Sequence, residues 1–197
     1  PIPEELLQLR CPQAYAYLLP FRELLAARAA YRRYQGRGPF YAMYNVGPYT
    51  LAPVKVVWRR MDRALRAAVV GQREVPGAGL KPVVPQETCV LLPAADPDEA
   101  HYLCALVNSS LSAFLARASS VDGGKGFGTP GVLEYLNLRR YEPGDPRHRE
   151  LSELSRQAHR AVALGDDPRR FEEPIDGLAA DLSGVDAQSL VAIRDEL

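Results

Sequence analysis

The residues best suited to chemistry in this sequence are cations interleaved with aromatics. Lys55, Arg59 and Arg60 share the stretch Lys-Val-Val-Trp-Arg-Arg, and Arg37, Tyr41, Tyr44 and Tyr49 precede it. Arginine and lysine suit phosphates, arginine also fits the guanine edge, and aromatic rings pack or stack on bases. The pattern therefore makes Lys55, Arg59 and Arg60 candidate nucleic-acid contacts, with Arg37 and Tyr44 behind them. Lys125, alone in the glycine-rich stretch 122–131, could also reach a phosphate. Strand alternation sends Val54, Val56 and Trp58 to one face and Lys55, Val57 and Arg59 to the other, so Trp58 reads as core.

Other chemistries find less support. Gly126-Phe-Gly-Thr-Pro-Gly131 spells G-x-G-x-x-G, but the dinucleotide motif needs a strand before it and a helix after it. Here a helix precedes it and Pro130 interrupts it, so a loop is the expectation. His101, His148 and His159 lack metal-ligand spacing, and no serine sits in a G-x-S-x-G elbow. Neither a complete active site nor a cofactor or metal site is expected in this chain. Cys11, Cys89 and Cys104 are odd in number and widely spaced, which suits thiols in a reducing, cytoplasmic compartment better than a disulfide frame.

The zero formal net charge conceals an asymmetry. Residues 1–85 hold 13 Lys+Arg against 5 Asp+Glu, whereas residues 151–197 hold 5 against 10. A basic half points to a polyanionic partner for that half; the plainer account is an arginine-rich solvated surface. With 197 residues, 47% of them hydrophobic, the chain can bury a substantial core. No apolar run approaches a membrane span and no basic-then-apolar leader opens it, so no membrane partner is expected. The start at Pro1, without methionine, suggests a piece of a longer protein or a processed chain.

These residues need elements to position them. The central one is a helix over 98–115, where Ala100, Leu103, Cys104, Val107, Leu111, Phe114 and Leu115 recur at helical spacing. Asp96 can cap it and Pro97 open it, while Asn108-Ser109-Ser110 are poor helix formers in its middle. A helix from Pro12 should break near Pro20 and resume over 26–34. Residues 40–47 read as extended, 54–60, 65–70 and 88–92 as strands, and 71–79 as a turn-rich loop. A long helix from His148 and two short ones, over 175–182 and 187–197, close the chain. The expectation is an α+β fold: a mixed or antiparallel sheet packed on a central helix, with an N-terminal helix and a C-terminal helical tail. We expect a helical segment over 1–35, a recognition core over 36–147 and the tail over 148–197, together forming one compact domain.

The order of these segments resembles the C-terminal target-recognition region of N6-adenine DNA methyltransferases and fused restriction–modification enzymes, the TaqI-like specificity domain. The resemblance runs through Tyr15-Ala-Tyr-Leu-Leu, Leu25-Ala-Ala-Arg28, Phe40-Tyr41, Pro53-Val-Lys-Val-Val57 and Glu87-Thr88. It is strongest in Ala100-His-Tyr-Leu-Cys-Ala-Leu-Val-Asn-Ser-Ser110, and continues through Leu133–Leu138 and Pro146-Arg-His148. The family's methyl-donor loop and Asn-Pro-Pro-Tyr motif are missing here. The resemblance therefore implies a recognition module that binds duplex DNA and is not catalytic alone. The S-adenosylmethionine-dependent chemistry would belong to an upstream or partner methyltransferase domain that receives the flipped adenine. The alternative is an assembly module that docks onto a methyltransferase or restriction subunit without touching DNA.

Overall fold

The computed structural model describes residues 1–118, 136 and 138–197. By packing, the chain divides into two units, Pro1–Pro48 and Tyr49–Leu197, so the expected core and tail fall largely within the second.

Short helices make up the first unit: α1 (Glu4–Arg10), α2 (Pro12–Leu18), α3 (Arg22–Ala26) and α4 (Ala29–Tyr34), with a 3₁₀ turn at Leu19–Phe21. Pro20 lies in that turn, where the sequence calls for a break. Charged and polar bonds hold the unit together. The Arg22 guanidinium bonds both Glu4 carboxylate oxygens (2.5 and 3.2 Å) and sits 4.2 Å from the centre of the Phe40 ring. Arg22 accordingly keeps the Glu4 carboxyl below its usual range.

Arg28 ends the expected continuous helix: its backbone is extended (φ −56°, ψ 132°), and its guanidinium donates to the carbonyls of Phe40 and Ala42. Those two carbonyls are thereby withdrawn from any strand ladder. Residues 40–47, expected to be extended, form turns instead, with Asn45 in the left-handed region (φ 56°).

The second unit is built on a three-stranded antiparallel sheet in the order β2 (Ala67–Val70), β1 (Lys55–Arg59), β5 (Cys89–Pro93). Val56 and Trp58 point to the buried face and join one core with Leu103, Val107 and Leu151. The central helix α5 (Pro97–Asn108) packs on β1, β2 and the long helix α7 (Pro146–Leu164). Asp96 caps α5 by accepting the Glu99 N–H, while the Glu99 carboxylate accepts the Ala95 N–H. Beyond α7, α8 (Glu172–Ser183) and α9 (Ala187–Asp195) are joined at Gly184, whose φ of +70° suits glycine. The fold is α+β, with helices at both ends of the chain. No helix among the described residues is long and apolar enough to cross a membrane.

Two further sequence expectations change in the second unit. The helix expected over 98–115 is two helices, α5 and α6 (Ser110–Ala118), because Ser109 is extended (ψ 154°). The Ser109 hydroxyl donates to the Leu106 carbonyl and accepts the Ser112 N–H, so it ends one helix and caps the next. The buried carboxylate of Asp176 accepts the N–H and hydroxyl of Ser110 and a bond from Arg194 Nε.

The second change falls at 71–79, expected to be a loop. It contains β3 (Gln72–Val75) and the turn into β4 (Gly79–Pro82), which together make a separate two-stranded ribbon. Pro76 and Gly77 form its tip, where Gly77 and Gly79 take positive φ and the Ala78 N–H bonds the Val75 carbonyl.

Candidate nucleic-acid interface

Arg59 ends β1 and pairs in register with Cys89 on β5, and Arg60 follows it. The Arg60 N–H bonds the Thr88 carbonyl, which ties the two segments together just past the strand ends. Arg59, Arg60, Met61, Glu87, Thr88 and Cys89 line a shallow depression of about 500 Å³. The Arg59 side chain is 75% exposed and stands 3.8 Å from Asp62, a weak surface pair that leaves its guanidinium accessible. This shelf could take a phosphate: two exposed arginines next to backbone, on a rigid strand end.

Lys55 requires a correction. Alternation places it on the face opposite Val56, as expected, but that face is covered at this end. Lys55 is 1% exposed, and its ammonium donates to the carbonyls of Ala52 (2.5 Å) and Val83 (2.9 Å). Burial pulls its pKa down, and a cation held this way cannot meet a phosphate. Arg37 and Tyr44 belong to the first unit, Arg59 and Arg60 to the second. Both are exposed, and the Tyr44 ring stacks on Tyr34 (4.2 Å, 17°) with Arg33 against the far partner. Lys125 lies outside the described residues. Of the cysteines, Cys11 is exposed, Cys89 half-buried and Cys104 buried.

No family model matches this chain, and no curated protein matches it either.

The histidines do structural work. His159 bonds the Ser155 carbonyl through Nδ1 (2.7 Å), which puts its proton there and leaves Nε2 to accept the Val69 N–H (3.0 Å). It thus satisfies an edge group of β2. His101 stands edge-on to it and bonds the Ser155 hydroxyl. Burial, with His159 and Arg156 nearby, pushes the His101 pKa down to about 4.

His148 accepts the Glu142 N–H at Nδ1 and stands 3.4 Å from the Tyr102 hydroxyl, whose pKa burial raises to about 12. A phenol so hard to ionise suits packing between α5 and α7 rather than acid–base chemistry. Among the described residues, no group of three or more His, Cys, Asp or Glu could hold a metal ion.

Sequence reading missed Arg73 and Lys81, which face each other across the ribbon. The signal was present: Pro76-Gly77 between two short runs is a turn marker. The polar, short flanks lack the apolar alternation that identifies strands, so the stretch reads as loop.

Proposed function

We propose that this chain is a target-recognition module for duplex DNA that serves an N6-adenine methyltransferase or restriction–modification enzyme. The observation that carries the reading is the arginine shelf at the end of β1, where Arg59 and Arg60 lie exposed beside β5 in the basic half of the chain. The ordered resemblance to the TaqI-like specificity domain supplies the enzyme class. In that reading the shelf grips the backbone, and the catalytic domain, with its S-adenosylmethionine, acts on a base flipped out of the duplex. Arg59 and Arg60 are the leading contacts; Lys125, Arg37 and Tyr44 are secondary ones.

Binding of labelled duplex DNA to the chain and to its Arg59→Gln/Arg60→Gln variant tests the assignment. Loss of two phosphate contacts should lower the slope of log K against log salt by about 1.8. An unchanged affinity and slope would remove the shelf from the interface.

One observation favours a second reading, docking onto a methyltransferase or restriction subunit. The helices of the first unit bury none of their residues, and Leu9, Tyr17 and Leu24 are more than 70% exposed. Tight association with such a subunit, with no salt-dependent DNA binding by the complex, would establish that reading in place of the first.

A further inference from the structure

The ribbon β3–β4 has no structural reason of its own. A two-stranded hairpin gains stability in water by packing an apolar face, yet every residue of both strands is exposed except the half-buried Pro82. Its register sets Arg73 opposite Lys81. Directly opposed like charges destabilise a hairpin, and alternation puts Glu74 on the other face with Leu80, so no strand carboxylate offsets them. Two cations held side by side on an exposed ribbon favour a partner rich in negative charge or hydrogen-bond acceptors.

The ribbon is also firmly rooted. The Val83 N–H bonds the Gly71 carbonyl at its base, and the buried Lys55 ammonium holds the Val83 carbonyl on one side and that of Ala52 on the other. A buried ammonium is costly, and here it ties the ribbon's exit to the start of β1. The ribbon therefore projects from the end of β1 opposite Arg59, since Lys55 pairs with Val70, the residue just before the ribbon.

Dimensions indicate the ligand. Four residues from base to tip span about 14 Å, and paired strands lie about 4.8 Å apart. The B-DNA major groove is about 12 Å wide and about 8.5 Å deep and admits a two-stranded ribbon. The major groove of duplex RNA is too deep and narrow for side chains to read. The ribbon's root and the arginine shelf stand at opposite ends of β1, about 13 Å apart along the strand.

We propose that the β3–β4 ribbon enters the DNA major groove and presents Arg73 and Lys81 to base edges. This inference rests on the DNA-recognition reading above. Its test uses the whole chain and two labelled duplex pools of mixed sequence. One pool is plain; in the other, cytosines carry glucosylated hydroxymethyl groups that fill the major groove.

The unsubstituted chain should prefer the plain pool by about tenfold, and Arg73→Gln/Lys81→Gln should abolish that preference. Duplex RNA should bind about tenfold more weakly than the plain pool. Equal binding to both DNA pools, equal binding to RNA, or a preference that survives the double substitution overturns groove entry. If Arg59→Gln/Arg60→Gln weakens binding while the ribbon variant behaves as the parent does, the ribbon inference alone fails. If no duplex binds in a salt-dependent way, DNA recognition fails and the ribbon with it.

Discussion

Buried polar residues tie elements of the second unit together. Asp176 gathers Ser110 and Arg194 on one carboxylate that is 3% exposed. Asp176→Ala leaves a helix start and a partly buried guanidinium without their acceptor, and should cost about 2–4 kcal/mol in urea unfolding.

His101 makes stability depend on pH. Its folded pKa, about 4, lies below the ordinary 6.5, so between those values the unfolded chain binds the extra proton. Stability is complete above about pH 6.5 and falls as pH drops toward 4. Because His101 is only half-buried, the loss is about 1–2 kcal/mol after allowance for screening. His101→Gln should flatten unfolding midpoints across that window; an equally steep fall in the variant would assign it elsewhere.

Residue types made some of this legible. Asp96 as a cap and Trp58 as core follow from local pattern alone. The burial of Lys55 does not, because Val83, which covers it, is 28 positions away in sequence.

At the scale of elements, the Asn-Ser-Ser stretch shows how far local reading carries. Weak helix formers in mid-helix indicate a break or a partner, and both occur: the helix stops at Ser109, and Asn108 bonds the N–H and carbonyl of Ala67 on β2. Asn108 thus imitates a strand along an open edge. The ribbon shows the opposite case. Turn chemistry at Pro76-Gly77 was visible, but polar flanks without a buried face carry no period, and their pairing is anchored by Lys55 from another strand.

Lys55→Met tests that anchor. It leaves the Ala52 and Val83 carbonyls without their donor, so stability should fall by about 1–3 kcal/mol. Amide exchange should accelerate specifically over residues 71–83. Uniform acceleration across the second unit would show that Lys55 supports the core in general rather than the ribbon.

For the whole molecule, the distribution of charge matters more than its total. Eleven cations and two carboxylates lie between Arg28 and Lys81, and the acidic residues concentrate toward the C-terminus. The terminal helices use some of that acidity in ion pairs of their own, the buried Asp176 with Arg194 and the exposed Asp181 with Arg147. The basic half instead leaves Arg59, Arg60, Arg73 and Lys81 exposed.

Composition could suggest a polyanion, but only the fold separates cations that face solvent from those, such as Lys55 and Arg28, occupied by backbone carbonyls. The most direct test is a salt titration of the whole chain on duplex DNA. DNA recognition through the arginine shelf predicts a linear fall of log K with log salt, with a slope of about −2 from its two phosphate contacts. A slope near zero, or no association at low salt, would contradict it.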